Sequence, residues 1–411
     1  MDEDFTADEL AALAAHGLAV WGDRVIYDAQ PPATAESVAE IEALCTGPLP
    51  DELRELWATA FGGEVDYDVS VRFGEHVAGL SFRELFYPGA STYRDLPGWI
   101  EHELDTGEVD RLDFLPIGGF EYLDRVYVQV ARGEHHGSVV VWMQGLPPAW
   151  RLRLHEDSAA RVAPDLRSFF TMLALDEDPF ADSDDLRSGT EMAAALLPLE
   201  AAGPAGVSAA RKLRALISAA VVDWRSAVDD GTVAGDERLR RLAWLAAAGE
   251  DDAALLARLL ELECDPEERV FGGGTVLDQA LARGGLAVAR LLLDRGVGVS
   301  DALRSAGSGL PLALARELLA KGAEVDEQSV VSAAYAGQRE LAWLLADAWT
   351  ERFPDGAPGL ARRCRESAER ERANADRIDA GDLLSNRSAD DCRTRADLLA
   401  EIADALDGES A

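Results

Sequence analysis

Four Leu-Leu doublets punctuate the second half of this chain at near-regular steps. Leu259-Leu260 and Leu292-Leu293 lie 33 residues apart, and Leu318-Leu319 and Leu344-Leu345 follow at steps of 26. Self-similarity at this spacing is the trace left by a stack of helical hairpins, because no single hairpin can bury its apolar edge without a neighbour. The pattern predicts an all-α helical solenoid over residues 208–350, built to present a surface. Residues 1–175 obey other periods, so a different kind of domain precedes the stack.

That first region alternates between helix and strand signals. Thr6 and Glu9 form a capping box ahead of Leu10 and Leu13, and Gly17 ends the turn. A second helix starts near Thr34 with Val38, Ile41, Leu44 and Cys45 on one side. A third follows Pro50, with Leu53, Leu56 and Trp57 inward, and stops at Gly62-Gly63. The period then drops to two: Val65, Tyr67, Val69, Val71 and Phe73 share one strand face, with Asp66, Asp68, Ser70 and Arg72 on the other. Further on, Val126, Val128 and Val130 alternate with polar partners. A loop bounded by Gly133 and Gly137 leads into the valines and Trp142 of 138–144, which predicts a hairpin. A closing helix after Pro164 buries Leu166, Phe169, Phe170 and Leu173. The fold class is therefore α+β, a mostly antiparallel sheet flanked by helices, over 1–175. Residues 176–207 turn acidic and then Ala/Pro/Gly-rich, which predicts a linker. A strong helix resumes at 208–225, and 351–411 reads as a C-terminal helical cap for the stack.

Charge narrows the function classes. The formal net charge is −37, and residues 1–175 already carry 31 acidic against 12 basic side chains, so the acidity is spread over the chain. Such a molecule repels phosphate backbones and anionic membranes, which argues against a nucleic-acid or membrane partner. It attracts basic proteins, in a salt-dependent way. The four cysteines have no paired or Cys/His spacing and read as reduced thiols of the cytoplasm. No basic, apolar leader opens the chain and no run reaches the ~18 apolar residues of a membrane span.

The segment Gly274-Thr275-Val276-Leu277-Asp278-Gln279-Ala280, continued by Gly284, Val288, Leu291–Leu293, Gly296 and Val299, resembles one ankyrin repeat. It departs from that pattern at Val276, where proline is usual, and at Asp278, where a histidine ties the turn; a looser turn is expected here. The later units, on their 26-residue step, match less fully and imply shortened loops. The resemblance implies protein binding without chemistry.

In the first region the ordered set Leu49-Pro50, Trp57, Phe61-Gly62-Gly63, Tyr67, Phe114-Leu115-Pro116-Ile117-Gly118-Gly119, Asp124–Val128, Gly137–Trp142 and Leu166–Leu173 resembles the SUKH superfamily. That superfamily includes the yeast cell-wall-synthesis-regulator family and many bacterial immunity proteins. The polar turn usual after Pro-Ile-Gly is replaced by Gly119-Phe120-Glu121-Tyr122. The resemblance covers about 34–175 and implies a protein-binding domain, typically one that neutralises a toxin. Trp57, Gly62, Gly63, Pro116, Gly118, Tyr127 and Trp142 are its motif residues and are expected to be structural.

No chemical constellation competes with this. Neither Lys212 nor Lys321 follows a phosphate-loop glycine pattern, Gly272-Gly273-Gly274 opens a turn, and His102-Glu103 lacks a second zinc-protease histidine. His135-His136 has no further Cys or His near it, so neither catalytic residues, nor metal ligands, nor a cofactor site is expected. The acidic series Glu101, Glu103, Asp105, Glu108, Asp110 and Asp113, together with Glu64, Asp66, Asp68 and Glu75, is either an ordinary solvated face or an acidic surface that docks on a basic toxin. The expectation is a cytoplasmic, non-enzymatic immunity protein that binds its toxin stoichiometrically. A regulatory scaffold recruiting endogenous proteins is the alternative. An enzyme using the cleft of the first domain would require strongly perturbed ionisable groups there.

Overall fold

The computed structural model describes residues 5–73, 76–90, 94–120, 124–143, 159–181, 188–270, 274–305, 310–382 and 387–408. The chain forms two compact units, Met1–Val222 and Asp223–Ala411.

In the first unit, α1 (Ala7–Ala15) leads to a short hairpin of β1 (Ala19–Trp21) and β2 (Arg24–Ile26), followed by α2 (Ala35–Ala43) and α3 (Asp51–Thr59). The main sheet comprises β3 (Gly63–Phe73), β4 (His76–Leu85), β5 (Phe114–Phe120), β6 (Asp124–Gln129), β7 (Val139–Met143) and β8 (Ala159–Ala163), with α4 (Leu96–Gly107) between β4 and β5. All five pairings are antiparallel between sequence neighbours, and β8 returns towards β3, so the sheet curls. The concave side is filled by Tyr67, Val69, Val71, Phe82, Leu115, Val128, Val139 and Val141, covered by Phe169 and Phe170 of α5 (Leu166–Met172) and by Leu53, Leu56 and Trp57 of α3. The capping box of α1 forms as its sequence requires, Glu9 accepting the Thr6 amide at 2.7 Å.

The alternation in β3 breaks once. A bulge between Glu64 and Tyr67 puts Asp66 in the left-handed region, φ 41°, and turns its side chain inward to 4% exposure instead of outward. Aspartate tolerates that backbone better than branched residues do, and a bulge re-aims a side chain in this manner.

The stretch expected as a linker is structured wherever it is described. It forms α6 (Thr190–Ala194), α7 (Leu196–Glu200) and α8 (Gly203–Ala219). Met192, Leu196 and Leu199 are fully buried in the same core as the sheet, and the helix placed with the repeats packs Leu213 and Ile217 there too. Three apolar residues at helical spacing suffice to dock a segment whose composition otherwise reads as linker. Lys212 reaches Glu9 at 2.8 Å, and this pair with the Ser208 hydroxyl holds the Glu9 carboxyl down at about 2. The unit closes where the Leu175 amide donates to Ala220 O and Leu175 O accepts the Val222 amide, each at 2.9 Å, so the boundary falls after Val222, beyond the expected residue 175.

At the start of β6, burial pushes the Asp124 carboxyl up to about 7. Its protonated form is favoured by folding, so its contribution is complete below about pH 4 and is lost as pH rises through 7. Asp124→Asn is therefore expected to stabilise the protein by roughly 1–3 kcal/mol at pH 8 and by little at pH 4. Urea unfolding at the two pH values checks this.

The second unit is helical. After α9 (Trp224–Asp229), helices pair as α10 (Glu237–Gly249) with α11 (Ala253–Glu261), α12 (Val276–Arg283) with α13 (Leu286–Asp294), α14 (Ala302–Ser305) with α15 (Leu312–Ala320), and α16 (Glu327–Tyr335) with α17 (Arg339–Arg352). First helices pack on first helices and second on second: α10 on α12, α12 on α14, α11 on α13, α15 on α17. The leucine doublets lie on these second helices, and Leu259, Leu292, Leu318 and Leu345 are buried. Asp251, in a hairpin turn with φ 52°, accepts the amides of Ala287 and Val288 at 3.1 and 2.9 Å, capping the next hairpin's second helix. Asp278 corrects the expectation of a loose turn. Its carboxylate takes the Thr275 amide at 2.8 Å and the Thr275 hydroxyl at 3.0 Å, a capping box that fastens the turn without histidine. The link into α16 spans 321–326, against 262–275 into α12, so the shorter step removes loop. Finally α18 (Ala357–Asp379) and α19 (Ala389–Gly408) pair with each other, and both touch α16.

Candidate partner-binding face

Two helices of the first unit frame a groove. Thr34 caps α2 by accepting the Ser37 amide at 3.1 Å. Asp95 caps α4 by accepting the Gly98 amide at 3.0 Å, with Pro97 in the first turn. The two are held side by side because Leu112, beyond α4, donates to Leu44 O at 2.8 Å and accepts from the Thr46 amide at 2.9 Å. Between them lies an open groove of about 370 Å³. Its floor is Ile41, Leu44, Pro88, Pro97, Ile100 and Leu104, and its rim is Glu40, Glu101 and Asp105. Leu44 remains 37% exposed, since the apolar stripe of α2 is wider than the core can cover.

The predicted acidic residues separate into three groups. Glu101 and Asp105 meet Glu40 at the groove, while Glu108, Asp110 and Asp113 continue as exposed carboxylates beyond α4, Asp113 accepting the Thr46 hydroxyl at 2.6 Å. Glu103 faces the other way. It takes the Arg125 guanidinium and the Tyr127 hydroxyl, each at 2.8 Å. Burial raises the pKa of Tyr127, so the phenol stays a donor. Arg125 itself lies between two indole rings, 4.0 Å from the centre of Trp99 and 4.7 Å from that of Trp142. Glu103 is thus part of an interior cluster.

The third group fastens the chain. Glu64 pairs with Arg94 at 2.6 Å. Asp66 accepts the Gly189 amide at 2.6 Å and lies 3.1 Å from Arg83 without hydrogen-bond alignment; burial raises its pKa against both contacts. Asp68 accepts the Ser188 hydroxyl at 2.9 Å and the Asp176 amide at 3.3 Å. These aspartates hold Asp176, Ser188 and Gly189 beside β3 and are not part of the groove's lining, so the nine described acids are divided among three places. Glu75 lies outside the described residues. Removing the Asp66 carboxylate by Asp66→Ala strands a buried amide and is expected to destabilise the first unit by about 1–3 kcal/mol. Amide exchange of 189–196 is expected to rise with it; unchanged protection there would contradict the assigned role.

The motif residues occupy packing positions. Trp57 packs on Phe61 at 5.1 Å, Gly62 lies against the Tyr87 ring, and Gly63 adopts φ 142° as β3 begins. Pro116 pairs with Tyr127 beside a bulge in β5. A Cβ on Gly118 would stand 2.1 Å from Glu84 O, so that position admits glycine alone without backbone movement. Trp142 stacks on Arg125. Of the histidines, His136 meets Pro48 O at 2.8 Å and His102 lies edge-on to Trp99. Among the described residues no group of three His, Cys, Asp or Glu is arranged to hold a metal ion, and no helix is long and apolar enough to cross a membrane.

Sequence reasoning missed Glu40 and the groove. The available signal was Leu44, one apolar residue too many for the single buried face of α2.

A curled antiparallel sheet packed with helices, bearing a shallow acid-rimmed groove, defines an α+β domain suited to protein recognition. Residues 32–172 match the SMI1 / KNR4 family (SUKH-1), and this stretch is a domain of that family. The match ends before the docked helices α6–α8 and the helical unit that follows. No curated protein matches the chain.

Proposed function

We propose that this protein is a non-catalytic binder of the bacterial immunity type, which neutralises a basic toxin by occupying it stoichiometrically. The observation that supports this is the groove between α2 and α4, with an apolar floor and Glu40, Glu101 and Asp105 on its rim. A lysine- or arginine-flanked amphipathic segment fits that combination: the floor takes its apolar side chains and the rim its cations. In a molecule of net charge −37 the same acids accelerate encounter. The stacked hairpins are ankyrin-like in this reading and add a second contact, which raises avidity when both sites engage one partner. No cofactor, metal or nucleic acid takes part. Four free, buried cysteines suit the cytoplasm.

A regulatory scaffold is the second reading, and the hairpin stack supports it because such a stack binds proteins by itself. A neighbouring toxin gene whose product is inhibited at a 1:1 ratio supports the first reading. A toxin that remains fully active with the purified protein in excess refutes it.

A further inference from the structure

We propose that the helical unit holds a binding site for a small organic anion with an apolar body, in the cavity lined by α16, α17 and α19. The cavity measures about 490 Å³, within the range of small-molecule sites. Leu303, Leu310, Leu341 and Leu345 give it apolar lining, and Arg387 and Arg395 line it as well. Its described lining contains two guanidinium groups and not one carboxylate, in a chain where acids outnumber cations 76 to 39. A random dozen residues of this protein would bring about two acids, so the cavity inverts the charge of its surroundings.

Two carboxylates near the cavity have hydrogen-bond partners of their own. Asp326 accepts both the amide and the hydroxyl of Ser329 at 2.7 Å and pairs with Arg304 at 3.0 Å. Asp391, one turn from Arg395, accepts the Ser388 hydroxyl at 2.8 Å, and the Arg395 charge adds to that bond in lowering its pKa. The Nη1 atom of Arg395 is buried and has no acceptor among the described residues. A buried guanidinium nitrogen without an acceptor costs free energy that an incoming phosphate or carboxylate oxygen would return. Gln338 and the Ser332 and Tyr335 hydroxyls, also in the lining, supply further polar contacts around the headgroup. The shared chemistry is an anionic oxygen headgroup on an apolar or aromatic body, met as an organic phosphate or as a carboxylate.

The test is calorimetric titration of the full chain with phenyl phosphate, benzoate, inorganic phosphate and the neutral control benzyl alcohol. One of the two aromatic anions is expected to bind at least tenfold more tightly than benzyl alcohol and than inorganic phosphate, and which one it is identifies the headgroup. Arg395→Gln and Arg387→Gln are each expected to weaken that anion at least tenfold, whereas Arg362→Gln, on an exposed face, leaves it unchanged. Ala336→Trp, at an exposed position of the lining, is expected to block binding without touching the core. Failure of both aromatic anions to bind at 10 mM would overturn the proposal. So would equal binding of the neutral control, or an effect of Arg362→Gln as large as that of Arg395→Gln.

Discussion

Reversing the groove's three acids, as Glu40→Arg with Glu101→Arg and Asp105→Arg, is expected to slow association with the basic partner by about 10–100-fold at low salt. Each substitution changes the local charge by two, and the three residues stand on one rim around an apolar floor. Steering of this kind fades as the Debye length shrinks to about 3 Å near 1 M salt, so mutant and wild-type association rates should converge there. The same triple change at Asp8, Asp230 and Asp294, exposed carboxylates in or next to other helices and outside the groove's lining, controls for net charge. Equal slowing by both triples would mean that net charge acts without the groove. Stopped-flow association with the partner co-purified from its native cell measures all of this.

The second large effect concerns the cluster behind α4. Arg125→Ala is expected to destabilise the first unit by about 3–5 kcal/mol, because it leaves Glu103 charged and largely buried without its cation and empties the place between the two indoles. The combined variant Arg125→Met, Glu103→Leu, Tyr127→Phe removes every polar member together and is expected to recover more than half of that loss. Denaturant unfolding of the two variants separates the alternatives. If the triple variant is as unstable as Arg125→Ala, the cost comes from lost stacking between Trp99 and Trp142 and not from a stranded charge. Neither variant should alter the groove's rim, so a folded triple variant that binds its partner normally would place Glu103 outside the interface.

Much of this was legible in the sequence, and the exceptions share a cause. Local signals held where a residue's role is set by its neighbours in the chain: the Thr6–Glu9 capping box, the Leu53–Leu56–Trp57 stripe, the hairpin of β6 and β7, the alternating valines. They failed where a residue's role is set by a distant segment. Asp66 and Asp68 look like the solvated side of a strand until the bulge turns one inward and Asp176, Ser188 and Gly189 come to bond them. Residues 190–219 look like linker and helix because Met192, Leu196 and Leu199 are sparse, and sparse apolar residues matter only when a core is waiting for them. The acidic run after Leu96 reads as one face, yet helical geometry sends Glu103 inward to Arg125 while Glu101 and Asp105 flank the groove. Histidine was expected to be missed at Asp278, but the carboxylate closes the same turn through Thr275.

Hydrogen exchange of the complex with its basic partner locates the surface that the partner covers. Amide protection gained on binding is expected to fall on residues 37–44 and 97–105, in the two segments that frame the acid-rimmed groove. Protection confined to other parts of the first unit, with both helices exchanging as in the free protein, would contradict it.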